Sequence, residues 1–250
     1  MVEFYGDKIG EHPVGTGPFK FAEWKRGASI RLVRNASYWD GDKPYLEQII
    51  FQIIPQPANR VPALQAGEID TLMDFYTPKA ETPRLLKDKN LAPRQGVNIP
   101  AIWFMMFNTK SAVMQKKEVR QAFSMAIDKA AIIKDVYLGA GQAAKNLIPP
   151  TMWSYDESTV DIEYNPEKAK EMLKAAGVEG LKTDIWWMPV QRPYNPNAKR
   201  MAEMMQADLA KIGVNAKLVT FEWGEYRKRL QQGEHLTGML GWNGDNGDPD

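Results

Sequence analysis

Between Thr183 and Trp242 the hydrophobic period alternates between two residues and three to four, and this alternation constrains the fold more than any other feature of the chain. Thr183–Met188 reads as a strand, and Asn197–Ile212 as a helix stopped by Gly213. Asn215–Phe221 reads as a strand, Gly224–Gln232 as a helix and Leu236–Trp242 as a strand. Parallel neighbours need a crossover between them, so a β-α-β-α-β order predicts a mainly parallel sheet with helices on its faces. Ligands of such sheets sit beyond the carboxyl ends of the strands. Two loops leave strand ends here. One runs from Pro189 to Pro196 and carries Arg192 and Tyr194; the other runs from Asn243 to Asp248 and carries Asp245.

The rest of the chain reads less regularly. Ser29–Arg34 alternates apolar and polar residues, as a half-buried strand does. Ile49–Ile54 is a β-branched apolar run expected to be a strand buried on both faces. Pro57 opens a short helical segment, in which Pro62 predicts a kink or a single turn; Gly67 stops it, and Glu68–Met73 then reads as a strand. Ala101–Phe107 is a further strand. The strongest helical stripe follows, with Val119, Ala122, Phe123, Ala126, Ile127, Ala130, Ile133 and Tyr137 on one face up to Gly139. Asn165-Pro166-Glu167 combines an N-cap, a first-position proline and an early acid, and predicts another helix.

Charge and composition remove several function classes. Lys and Arg number 32 against 31 Asp and Glu, which leaves no basic excess for nucleic acid or an acidic membrane surface. There is no cysteine, so disulfides, thiolate catalysis and Cys-ligated zinc are excluded. His12 and His235 are isolated, and no metal or cofactor is expected. Gly15-Thr16-Gly17 lacks the further glycine and the helix of a phosphate loop and reads as a turn before a strand. Asp245, Asp248 and Asp250 could ligate calcium, but Gly247 and Pro249 stand where oxygen donors are needed, which favours a solvated turn. No nucleophile elbow or zinc-protease motif is present. An α/β hydrolase using strand-end carboxylates is the reading from a different function class, and no assembled nucleophile or base supports it.

Arg192 lies between Pro189 and Pro193, which stiffen its loop and lower the entropic cost of presenting a planar guanidinium to a carboxylate. Asp245 is flanked by Gly244 and Gly247, so a ligand could approach the backbone closely. Opposite charges at neighbouring strand ends would suit a zwitterion. They would equally suit a salt bridge tying two loops, and spacing leaves both readings open.

Three longer strings resemble the dipeptide branch of the peptide, opine and nickel solute-binding proteins that serve ABC-type importers. They are Asn146-Leu147-Ile148-Pro149-Pro150-Thr151-Met152-Trp153, Met188 through Asn197, and Gly241 through Asp250. Broader signatures of that family stand at Gly15-Thr16-Gly17-Pro18-Phe19, Gly67-Glu68-Ile69-Asp70, Val119-Arg120-Gln121-Ala122-Phe123 and Ala126-Ile127-Asp128. The resemblance implies an α/β fold of the type II periplasmic-binding-protein class, with mixed sheets covered by helices. Part of one lobe is expected in residues 1–97 and part of the second, with the main ligand contacts, in residues 98–250. Both ends of the sequence read as cuts through a longer chain. The resemblance further implies that Asp245 binds a ligand's α-amino group and Arg192 its α-carboxylate, with Tyr194 and Trp223 lining the pocket. The expected partners are a dipeptide or short peptide and a membrane permease, for a monomer in the periplasm. Haem, longer peptides and metal chelates are the alternative ligands within the same receptor class.

Overall fold

The computed structural model describes residues 5–72, 81–93 and 101–244. The chain divides into two compact units, Met1–Met73 and Asp74–Asp250, and each is described by itself.

The first unit is built on an antiparallel sheet of β1 (Phe19–Lys25), β2 (Ser29–Arg34) and β3 (Gln48–Gln52), in that spatial order. The β1–β2 connection is tight, with Ala28 N–H donating to the Lys25 carbonyl at 3.0 Å. The register shifts by a bulge between Phe21 and Glu23. Asn35 fastens the Gly15–Gly17 turn to the end of β2, donating to the Gly17 carbonyl from its side chain (3.1 Å) and to the Pro18 carbonyl from its backbone (2.9 Å). The turn before a strand expected at Gly15-Thr16-Gly17 is therefore present.

Two expectations fail in this unit. The Ile49–Ile54 run does not form a strand buried on both faces. β3 is the edge of its sheet, and Ile50, Phe51 and Ile53 are about half exposed, because no second layer among the described residues of the unit packs on them. Nor do residues 68–72 form a strand: the chain turns at Gly67 and pairs with no strand among the described residues, while Met73 lies outside them. Pro62 behaves as its chemistry requires. A 3-10 turn at Pro57–Asn59 leads into α1 (Arg60–Gln65), so the proline sits in the first helical turn, where a missing N–H costs nothing.

The second unit carries a four-stranded sheet in the order β4-β7-β5-β6, from β4 (Ala101–Phe107), β5 (Lys182–Trp186), β6 (Asn215–Val219) and β7 (Thr237–Asn243). β5 runs parallel to both β6 and β7, while β4 runs antiparallel to β7. The three strands read from the C-terminal alternation thus form the parallel part. The short α2 (Thr82–Leu85) and α3 (Ala112–Gln115) precede the main helices α4 (Lys117–Ala126), α5 (Lys129–Asp135), α6 (Pro166–Ala175), α7 (Ala198–Lys211) and α8 (Trp223–Gln232). α4 covers one face, where the Phe123 ring meets Phe107 of β4 edge-on at 5.8 Å; α7 packs beside it on β5 and β6. α8 covers the opposite face, with Leu230 against Gly238. Burying a side chain such as Phe123 completely contributes about 2–3 kcal/mol.

Local chemistry explains several helix ends. Asn165 caps α6 by accepting from Lys168 N–H (3.0 Å), and Asn197 caps α7 by accepting from Arg200 N–H (3.1 Å). Gly213 leaves α7 at a φ of +81°, a conformation costly for other residues. The long stripe from Val119 to Tyr137 is not one helix. It breaks at Ile127, whose backbone is extended. Asp128 then caps α5 by accepting from Ala131 N–H at 2.9 Å and donates its own N–H to the buried Asp208 carboxylate of α7 at 3.0 Å. That tertiary bond, invisible to periodicity, turns the chain.

Candidate functional site

The carboxyl ends of β5, β6 and β7 share one edge of the sheet because the three strands are parallel. β5 leads to α7 on one face, and β6 leads to α8 on the other. The connections thus part at this edge, which is where a crevice opens in folds of this class. β5 and β7 pair at Trp186 and Gly238. Beyond that point Tyr226 of α8 fills the space between them. Its buried hydroxyl donates to the Met239 carbonyl at 2.7 Å and lies 3.0 Å from the Trp186 carbonyl. Burial pushes this phenol above its ordinary pKa, so it stays a neutral donor.

Arg192 and Tyr194 stand in the loop leaving β5. Arg192 and Asn195 exchange both backbone hydrogen bonds, at 3.1 and 2.9 Å, closing a four-residue turn around Pro193 and Tyr194. Asn195 is wholly buried, its side-chain amide 3.2 Å from the Met188 sulfur. Its Oδ1 has no hydrogen-bond partner among the described residues. Tyr137, just past α5, donates its hydroxyl to the Tyr194 carbonyl at 2.7 Å. Burial raises the Tyr137 pKa strongly, which again keeps the donor proton in place.

The Tyr194 ring edge comes close to Gly241 of β7. A Cβ added to Gly241 would fall 2.4 Å from its Cδ2 and 2.5 Å from the Ile102 carbonyl oxygen, so only glycine fits there. Burial raises the Tyr194 pKa, and the Arg192 charge offsets part of the rise.

Arg192 itself is partly buried. Its guanidinium donates to the Gln191 carbonyl from Nη1 at 3.0 Å and stands 5.1 Å from the centre of the Trp223 ring, at the N-terminus of α8. Among the described residues it forms no ion pair. A guanidinium has five N–H donors, so among the described residues most of this fork meets no acceptor. An indole plate beneath it adds attraction without using a donor. The group can therefore take an anion of carboxylate shape in two parallel hydrogen bonds. Trp223 is fixed by stacking on Tyr226 (5.8 Å, 18° between planes) and by the Glu222 carboxylate capping α8 at Gly224 and Glu225.

Three of the four residues expected from the sequence thus meet at one edge: Arg192, Tyr194 and Trp223. The fourth, Asp245, lies outside the described residues, two positions beyond the last residue of β7. The calcium reading of Asp245, Asp248 and Asp250 lies outside them too. Among the described residues no cluster of three His, Cys, Asp or Glu could hold a metal, and no helix is long and apolar enough to cross a membrane. Two shallow hollows on the surface, beside Ile133 and Leu138 and beside Gln206 and Val214, include none of the site residues. Sequence reasoning missed Tyr137, Asn195, Tyr226 and Gly241. Tyr137 and Tyr226 follow ordinary helical spacing, and what distinguishes them is contact across 57 and 40 residues.

The family model for bacterial extracellular solute-binding proteins, family 5, middle section, matches residues 2–250. The dipeptide-binding protein of Escherichia coli K12 is 49% identical over 247 residues, which cover 98% of this chain and 45% of that protein. The periplasmic binding protein DppA of Helicobacter pylori, solved in complex with the peptide STSA, superposes with a TM-score of 0.86 at 35% identity, over 100% of this chain and 47% of that one. The dipeptide-binding protein of Pseudoalteromonas sp. SM9913, solved with Met-Leu, gives a TM-score of 0.85 at 34% identity, over 100% and 50%. The chain spans about 45% of the length of the curated relatives it matches.

Proposed function

The chain belongs to the bacterial extracellular solute-binding proteins of family 5, and on that premise we propose that it captures short peptides, dipeptides foremost, for an ABC-type importer. The α/β fold and its relatives are those of solute-binding proteins and not of enzymes. In the proposed mode the peptide's α-carboxylate docks on Arg192, with Trp223 and Tyr194 beside it, and its α-amino group is held by Asp245. The lobes divide near residues 97 and 98. The protein works as a monomer in the periplasm and hands its ligand to a membrane permease.

One observation carries the reading: the Arg192 guanidinium stands over Trp223 with a single hydrogen bond to protein and no carboxylate partner among the described residues. Holding a partly desolvated charge in this way is costly unless a ligand completes it. Charged clamps at both termini select for free ends, while side chains between them can be tolerated through bridging water.

The test is a titration of this chain with a plain dipeptide, its N-acetylated form and its C-terminal amide, followed by tryptophan fluorescence. Saturable binding of the plain dipeptide, weakened about 100-fold or more by either block, supports the two-clamp mode. Arg192→Ala should abolish the distinction between acid and amide. Equal binding of all three ligands, or turnover of any of them, would refute the proposal.

A further inference from the structure

Arg192 needs a defined position to present two parallel donors, yet among the described residues its side chain is held by one hydrogen bond to its neighbour's carbonyl and by an aromatic face. Its position therefore depends on the backbone of the turn, which the Arg192–Asn195 pair closes. That turn is held at three points. The Arg192–Asn195 pair closes it, the buried Asn195 roots it beside Met188, and Tyr194 anchors its apex. The apex is gripped from two sides. Tyr137 holds the Tyr194 carbonyl from the end of α5 at 2.7 Å, and Gly241 of β7 receives the Tyr194 ring where any Cβ would collide with it. The Tyr137 hydroxyl is partly buried, held neutral, and aimed at this carbonyl, its one acceptor among the described residues.

We infer that Tyr137 and Gly241 are positioning residues for carboxylate recognition: they clamp Tyr194 and so fix the turn that aims Arg192. The inference rests on the Arg192 carboxylate reading above and extends it to residues 55 positions before Arg192 and on another strand. Removing the Tyr137 hydroxyl leaves the Tyr194 carbonyl without its donor. The turn then samples more conformations, and a bidentate contact loses more from that freedom than a single one. The effect should fall on the carboxylate and spare the rest of the ligand.

The experiment compares wild type, Tyr137→Phe and Gly241→Ala in this chain, titrated with a dipeptide and with the same dipeptide as its C-terminal amide. Amide hydrogen exchange is followed across residues 192–195. Tyr137→Phe should weaken binding of the free acid roughly tenfold, leave the amide's binding unchanged, and speed exchange in the turn selectively. Gly241→Ala should do the same more severely. Should Gly241→Ala fail to fold, Tyr137→Phe, which removes one oxygen, decides alone. If acid and amide weaken equally, or exchange at 192–195 stays as in wild type, Tyr137 is merely structural and the inference is overturned. If wild type does not distinguish acid from amide, the carboxylate reading itself falls and takes the inference with it. An intact wild-type preference with an unmoved variant preference sinks the positioning role alone.

Discussion

Replacing Asp184 by asparagine should destabilise the second unit by about 3 kcal/mol. The carboxylate projects from β5 and ties it to the start of β7, where the two strands have little ladder between them. Oδ1 accepts from Leu236 N–H at 2.8 Å and Thr237 N–H at 3.2 Å, and Oδ2 accepts from the Trp186 indole N–H at 2.7 Å. Thr237 returns its hydroxyl to the Asp184 carbonyl. An asparagine that keeps its oxygen toward the two backbone donors turns both contacts from charge-assisted into neutral, a loss of about 1 kcal/mol in total after partial relaxation. Its amide nitrogen then faces the indole N–H, and that unsatisfied donor costs about 1–3 kcal/mol more. Turning the amide over is worse, since it sets the nitrogen against two donors. Urea unfolding followed by tryptophan fluorescence measures the effect. With a slope of about 2 kcal/mol per molar, the midpoint should fall by about 1.5 M while the slope is unchanged. A fall of less than about 0.3 M would show that these bonds contribute little beyond what water supplies, and the argument that Asp184 holds β7 to β5 would be wrong.

Other outcomes follow from the same contacts. Tyr226→Phe should cost about 1–2 kcal/mol in the same urea assay, because the Met239 and Trp186 carbonyls lose their shared donor in a dry place; an unchanged midpoint would refute the role. Asp128→Ala should cost about 1 kcal/mol by removing the α5 cap, and Asp128→Asn should recover most of it. His235 is 7% exposed, and its Nδ1 has no partner among the described residues. Burial holds its pKa below the ordinary 6.5, with Asp184 offsetting part of the shift. The unfolded chain therefore takes the proton first, so stability is complete above about pH 6.5 and declines as pH falls through the folded pKa. Thermal unfolding should show a lower Tm at pH 5 than at pH 7.5, and His235→Gln should reduce that difference; a variant with the wild-type slope would rule His235 out as its source.

Much of the second unit was written into local sequence. The alternation from Thr183 to Trp242 specifies parallel strands and crossovers, because period and glycine stops act over a few residues. The caps Asn165 and Asn197 act over three. The strand-end placement of the Arg192 and Tyr194 loop follows from that order, since loops leaving parallel strands must emerge together, whereas Trp223 is singled out by the resemblance alone. Tertiary structure decided what depends on a distant partner. The Val119–Tyr137 stripe breaks because Asp208, 80 residues on, accepts the Asp128 N–H. The Ile49–Ile54 run is as apolar as a buried strand, but its burial depends on a covering layer that its own sequence does not encode, and β3 lies half exposed at an edge. Tyr137 and Gly241 resemble an ordinary helical aromatic and an ordinary strand glycine. Only the folded chain brings both onto Tyr194, because hydrogen bonds and close packing are short-ranged in space and indifferent to separation along the chain.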